Sequence, residues 1–130
     1  MDINFKEVSI MLTKMIEEGN HEESVYHGWK YEIRRVSTTG HLCGYIYFDR
    51  KATEEEFEIM DHNFHGGVTW GFEGQPNQGK YGFDCAHYMD KHPLDIFGGM
   101  MFGTNDSTYK DMKFVRENIM QVIDMLEKLS

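Results

Sequence analysis

Residues 65–90, HGGVTWGFEGQPNQGKYGFDCAHYMD, concentrate side chains whose types and spacing could do chemistry. The segment holds two histidines, a cysteine and acidic residues among six glycines. Imidazole and glycine N–H groups can bind an anion, and aromatic rings offer stacking faces. We therefore expect a ligand-binding site at this segment, with contributions from a neighbouring hairpin. Its candidate ligand-binding residues are Arg34, His41, His65, Gly66, Gly67, Thr69, Trp70, Asp84, His87 and Asp90.

Catalysis is the first alternative to simple binding. The residues that acid–base or nucleophilic chemistry would use are His65, His87, Asp84, Asp90 and Cys85, since a histidine beside an acid can act as a base near neutral pH. No nucleophile elbow accompanies them, and GFEGQPNQG lacks the Lys-Ser/Thr pair of a phosphate-binding loop. The sequence therefore favours recognition without turnover, with a hydrolase or metal-assisted enzyme as the alternative. The histidines could also serve only to cap strand ends.

A zinc site is the second alternative. His41 and Cys43 form an i, i+2 pair on one predicted strand, and Cys85 and His87 form the mirror-image pair on another. If the two strand faces were shared, two thiolates and two imidazoles could surround zinc tetrahedrally. The spacing is not that of a zinc ribbon or finger, so we expect no metal cofactor.

The charge balance bears on the class of partner. A formal net charge of −9, from 22 acidic against 13 Lys and Arg residues, opposes direct nucleic-acid binding, which needs clustered basic residues. An acidic protein can instead imitate nucleic acid and inhibit an enzyme that binds it, in the manner of an anti-CRISPR protein. That alternative predicts salt-sensitive binding to a basic partner and no small ligand.

Cysteine usage and hydropathy predict the compartment. The two cysteines form no C-x-x-C pair, and the N-terminus lacks the basic and apolar regions of a secretory signal. No apolar run approaches the ~20 residues needed to cross a bilayer. We expect a cytoplasmic protein with reduced thiols and no membrane partner.

Periodicity predicts one α+β domain over residues 1–130, with an antiparallel β-sheet of two hairpins packed by N- and C-terminal α-helices. Folding the second hairpin symmetrically about Pro76 places His65 opposite His87 and Gly67 opposite Cys85. In the first hairpin, Leu42, Gly44, Ile46 and Phe48 share one face. The predicted helices are 4–18, a short helix beginning at TEEEFEIM (53–60), and 108–129; the predicted strands are 29–37, 41–49, 66–72 and 80–87, and 91–107 form a long loop.

The terminal helix carries an apolar stripe at 3-4 spacing, which is typical of a helix packed on a sheet. The same spacing suits a short helix-to-helix dimer seam. Because Met-rich stripes occur on both terminal helices, we also expect a homo-oligomer. The stripe consists of Met112, Val115, Ile119, Val122, Leu126 and Leu129.

Several motifs together resemble a widespread group of small phage- and prophage-encoded proteins. They are GHLCGY (40–45), HGGVT (65–69), GFDCAHYMD (82–90) and the closing helix YKDMKFVRENIMQVIDMLEKL (109–129). The resemblance covers roughly residues 28 to 129. It departs from the group at KATEEEFEIMDHNF (51–64), where relatives often carry a proline-rich stretch.

The resemblance implies a protein of a bacterial virus, acting in the host cytoplasm outside virion assembly and replication. Small phage accessory proteins commonly counter host defences by sequestering a nucleotide signal or by blocking a defence enzyme. We therefore expect a counter-defence protein that binds a small nucleotide-like ligand or a host defence protein. The resemblance supplies no catalytic residues.

Overall fold

The computed structural model describes residues 5–72, 79–87, 90 and 108–129. Within these residues the chain forms a four-stranded antiparallel sheet and three helices, which confirms the predicted α+β class. The strands lie in the order β1-β2-β3-β4 across the sheet. The elements are α1 (Phe5–Glu18), β1 (His21–Tyr26), β2 (Trp29–Arg35), β3 (Leu42–Phe48), α2 (Glu54–Asn63), β4 (Gly79–Asp84) and α3 (Met112–Glu127).

Side-chain caps fix where α2 and α3 begin. The hydroxyl of Thr53 accepts the Glu56 N–H at 3.2 Å, and the Glu56 carboxylate accepts the Thr53 N–H at 2.8 Å. This reciprocal capping box was predicted from the spacing of the two residues. At the start of α3, the Asp111 carboxylate accepts the Phe114 N–H at 2.7 Å, and Glu18 of α1 accepts the Met112 N–H at 2.6 Å. These bonds join α1 to the start of α3 and fix the segment that leads into it.

Strand β1 was not predicted. Its sequence, HEESVY, is mostly polar because the strand lies at the edge of the sheet and is largely exposed. It pairs with β2 through a two-residue turn at His27 and Gly28, whose φ angles are +50° and +82°. Positive φ at both turn residues is the geometry of a tight hairpin turn. The His27-Gly28 pair is therefore the sequence feature that could have predicted this hairpin.

The second predicted hairpin forms only in part. Trp70 and Gly82 make an isolated antiparallel bridge in the predicted register, with N–H···O distances of 3.1 and 2.9 Å. The main partner of β4 is β3 instead, from Cys43↔Asp84 to Phe48↔Gly79. Gly66 and Gly67 have φ angles of +74° and +86°, which interrupt an extended strand before Trp70. The predicted turn about Pro76 and the predicted loop 91–107 lie outside the described residues.

The core lies between the sheet and α3. Leu42, Gly44, Ile46 and Phe48 are buried, which confirms the face predicted for β3. The stripe of α3 is buried from Met112 to Leu126 within the single chain. The interpretation of α3 as a helix packed on the sheet is therefore confirmed, and the stripe is not available as a dimer seam. Its last member, Leu129, is exposed.

Helix α1 packs less completely. Met11 and Met15 are buried, whereas Phe5, Ile10 and Ile16 are exposed. Homo-oligomerisation stays a prediction, now attached to α1 rather than to α3. Among the described residues, no helix combines the length and the apolar character that crossing a bilayer requires.

Candidate functional site

Three segments that are distant in sequence meet at one end of the sheet. They are the loop after α2, the segment that follows β4, and the residues that lead into α3. Asp90 and Thr108 form an isolated parallel bridge that joins the last two segments. On the other side, the His65 N–H donates to the Asn118 side chain of α3 at 2.8 Å, which fixes the loop after α2. Parts of all three motif segments 65–69, 82–90 and 109–129 thus contribute to this end of the molecule.

The central contact is between His65 and Asp90. Nε2 of His65 lies 2.7 and 2.9 Å from the two carboxylate oxygens of Asp90, whose side chain is only 1% exposed. The same carboxylate accepts the His87 N–H at 3.1 Å and lies 3.6 Å from Nζ of Lys110. A buried carboxylate with this many donors holds one imidazole orientation firmly, because rotating the ring would leave a buried charge less well satisfied.

A second imidazole packs beside the first. The ring centroids of His65 and His87 are 5.4 Å apart, in an edge-to-face arrangement. Gly66 makes this packing possible, since a Cβ at residue 66 would overlap the ring of His87. Nε2 of His87 is buried without a hydrogen-bond partner among the described residues, and a carboxylate oxygen of Asp84 lies 3.6 Å from it. A buried polar atom without a partner is costly and is uncommon away from functional sites.

Cys85 lies next to His65 and Asp90, with its Sγ within 4.8 Å of a donor atom of each. It is buried, and its N–H donates to the Leu42 carbonyl at 2.9 Å, which ties it to β3. Burial, together with the negative charge of Asp90, raises the pKa of the Cys85 thiol far above its ordinary value. Burial also raises the pKa of Cys43. Because burial outweighs the nearby Arg34 and Lys110, neither cysteine is a thiolate nucleophile near neutral pH in the metal-free protein.

A groove of ≈ 360 Å³ opens beside His65, on the side of α3. The Phe114 ring stands edge-on to the imidazole, with ring centroids 5.2 Å apart. Sequence reasoning missed the groove residues of α3, although they occupy positions i, i+3, i+4 and i+7, which form one face of a helix. The groove is lined by Asn63, His65, Phe114, Glu117, Asn118 and Gln121.

The structure brings together half of the predicted site residues. Gly66, His65, Asp84, His87 and Asp90 lie in contact or within a few ångströms of one another.

The other predicted residues lie elsewhere. Thr69 and Trp70 are exposed and pair with Gly82. Gly67 lies against Asp61 in the loop after α2.

The two residues predicted from the first hairpin are not shown at this cluster. Arg34 projects from the sheet face opposite α3 and lies 3.5 Å from the Glu32 carboxylate. His41 hydrogen-bonds through Nδ1 to the Thr39 hydroxyl.

The groups of metal-ligating atoms differ from the zinc quartet considered above. In the part of the chain that the structure describes, two groups of three gather their donor atoms within 4.8 Å: His65 with Cys85 and Asp90, and His21 with Glu23 and Glu32. The first group is largely buried, whereas two of the three members of the second are exposed. The mirror-image pairs His41-x-Cys43 and Cys85-x-His87 contribute only Cys85 to the buried group.

Comparisons of the chain with protein-family models, with curated proteins and with solved structures found no match.

Proposed function

We propose that this protein binds a small nucleotide-like molecule in the groove beside His65 and releases it unchanged, as a counter-defence protein of a bacterial virus. The observation that carries the proposal is the locked imidazole of His65. Its Nε2 is occupied by the Asp90 carboxylate, while its ring lines the groove. A rigidly held polar ring at the wall of a groove is a recognition element that costs little entropy when a ligand binds.

The composition of the groove supports an aromatic heterocycle as the ligand. The Phe114 side chain is exposed enough to offer one face for stacking. The side-chain amides of Asn63 and Asn118 are already hydrogen-bonded within the protein. Asn63 donates to the Ile59 carbonyl. Asn118 accepts from the His65 N–H and donates to the Asn63 carbonyl. Glu117 and Gln121 are exposed on the groove wall and can accept or donate to the edge of a base.

The state of the thiols supports binding over covalent turnover. Burial raises the pKa of both cysteines, so the nucleophile that this cluster would otherwise offer is protonated. The His65–Asp90 pair does favour one second candidate function, which is hydrolysis with His65 as general base, because a carboxylate-held imidazole suits that role. The two functions differ in whether the ligand is recovered intact.

Native mass spectrometry of the protein purified from a bacterial host, with identification of any retained small molecule, tests the proposal. Titration calorimetry with that molecule, or with a panel of nucleosides and cyclic dinucleotides, then measures affinity for wild type and two variants. Phe114→Ala removes the stacking face, and Phe57→Ala is the matched control, since Phe57 is a similarly exposed aromatic residue of α2.

We expect Phe114→Ala to weaken binding by at least about tenfold, the effect of losing ~1.4 kcal/mol of stacking. Phe57→Ala should bind like wild type. Equal affinities of the two variants would reject the groove as the site. Recovery of a cleaved ligand after incubation would establish the hydrolase instead.

A further inference from the structure

We infer that His65, Cys85 and Asp90 form a binding site for a divalent transition metal of the zinc class. A ring nitrogen of His65, Sγ of Cys85 and a carboxylate oxygen of Asp90 lie within 4.8 Å of one another. They come from three places in the fold: the loop after α2, the residue that follows β4, and the bridge to Thr108. The fold therefore brings together three donors from separate segments of the chain.

The donor set selects the kind of ion. A thiolate with an imidazole and a carboxylate is borderline in softness, which suits zinc and disfavours calcium or magnesium. Around tetrahedral zinc, with bonds of about 2.0–2.3 Å, neighbouring donor atoms stand roughly 3.3–3.8 Å apart. The observed separations, from 2.7 Å between His65 and Asp90 to at most 4.8 Å for the group, bracket that spacing.

The local charges also favour a cation. Cys85 lies near the carboxylates of Asp84 and Asp90, and the Lys110 ammonium lies 3.6 Å from Asp90. A divalent ion bound through Sγ would displace the proton of the Cys85 thiol.

The imidazole of His87 lies beside the three donors but outside the group of atoms within 4.8 Å of one another. Its ring centroid is 5.4 Å from that of His65, and its buried Nε2 has no hydrogen-bond partner among the residues described. The backbone N–H of His87 donates to the Asp90 carboxylate and helps to orient it toward the proposed ion.

This site shares His65 with the proposed ligand groove, and its other two donors lie outside the groove lining. It uses a ring nitrogen of His65 with the buried Cys85 and Asp90, whereas the groove is lined by His65, Asn63 and the exposed face of α3. The protein could bind a metal without binding a nucleotide-like ligand, and the reverse. Metal content and ligand affinity therefore report separately on the two proposals.

The test uses the full chain purified without a histidine tag, with metal content measured by plasma mass spectrometry and Co²⁺ added as a spectroscopic probe. A cysteine ligand gives Co²⁺ an intense ultraviolet charge-transfer band from the thiolate, and this readout needs no variant. Cys85→Ser removes the proposed thiolate. Cys43→Ser is the matched control, because Cys43 is the other buried cysteine and belongs to neither group of donor atoms.

We expect about one zinc or cobalt ion per chain in wild type and in Cys43→Ser, with the charge-transfer band, and loss of both in Cys85→Ser. Asp90→Asn should weaken cobalt binding by at least about tenfold, since a charged ligand is lost. The site is rejected if wild type binds no cobalt at neutral to alkaline pH, or if the band persists in Cys85→Ser. Should Cys85→Ser fail to fold, the presence or absence of the band in wild type still decides whether a cysteine is a ligand.

Discussion

The imidazole of His87 occupies the space where a side chain of residue 66 would begin, since a Cβ built on Gly66 would overlap the His87 ring. Gly66 also has a φ of +74°, a conformation that L side chains rarely adopt. Backbone conformation and steric room therefore both require glycine at this position. The adjacent positions of the two histidine rings depend on it.

Gly66→Ala should consequently cost more stability than the strained φ alone explains. Gly28→Ala is the matched control, because Gly28 has a φ of +82° and no atom within 4 Å of the place that a Cβ would occupy, so it reports the strain without the overlap. We expect Gly28→Ala to lower the free energy of unfolding by about 1–2 kcal/mol. Gly66→Ala should lose roughly 1–3 kcal/mol more, in urea unfolding followed by circular dichroism. Equal losses of unfolding free energy in the two variants would show that the His87 ring moves aside without measurable cost.

Asp90→Asn tests how far the buried carboxylate organises the site. The substitution keeps the shape of the side chain but removes the charge that faces His65 and Lys110. We expect the free energy of unfolding to fall by about 1–3 kcal/mol, because buried donors lose a charged acceptor. Asp49→Asn, at an exposed aspartate, should stay within about 0.5 kcal/mol of wild type. The same loss in both variants would mean that net charge, rather than the contact with His65, sets the stability.

The ion pair between Glu22 and Arg116 predicts a loss of stability in acid. Arg116 donates two hydrogen bonds to the Glu22 carboxylate, at 2.6 and 2.8 Å, and holds the pKa of Glu22 below its ordinary value of 4.5. Because the folded-state pKa is the lower one, the pair stabilises the fold above pH 4.5, and this contribution is lost as pH falls through the folded pKa.

Urea unfolding of wild type and Glu22→Gln between neutral pH and pH about 3 measures this contribution. The free energies of unfolding should differ at neutral pH and converge in acid, because a protonated Glu22 is neutral, like the glutamine of the variant. Glu17→Gln, at an exposed residue of α1, should give a curve that parallels wild type. A gap between wild type and Glu22→Gln that stays constant down to the lowest pH would contradict the prediction.

The sequence predicted those parts of the fold that depend on local periodicity. Helices α1 and α3 follow 3-4 spacing, and the capping box at Thr53 marks the start of α2. Strand β1 was not predicted because an exposed edge strand need not alternate apolar with polar residues. Even its Val25 is exposed. Its pairing depends on backbone bonds to β2, which side-chain patterns do not record.

The site was predictable to the extent that one hairpin register determined it. Folding about Pro76 placed His65 beside His87, and the Trp70–Gly82 bridge has that register. Lys110 and Phe114 could not be placed in this way. They lie at the site because Asp90 pairs with Thr108, just before them in the chain. This contact joins residues far apart in sequence, and no local pattern specifies it.

The contact of Gly44 with α3 gives the last prediction. A Cβ on Gly44 would lie 2.8 Å from Cγ1 of Val115 and 3.0 Å from Cδ1 of Ile119, so α3 packs directly on the β3 backbone. Gly44→Ala should lower the free energy of unfolding by about 1–3 kcal/mol through overpacking. Val115→Ala should also destabilise the fold by leaving a cavity. Combined, the two substitutions should cost less than the sum of their separate effects by at least about 0.5 kcal/mol, because the new methyl group fills the space that Val115 leaves. Strict additivity in that double-mutant cycle would show that the helix shifts away from the strand instead of holding its position.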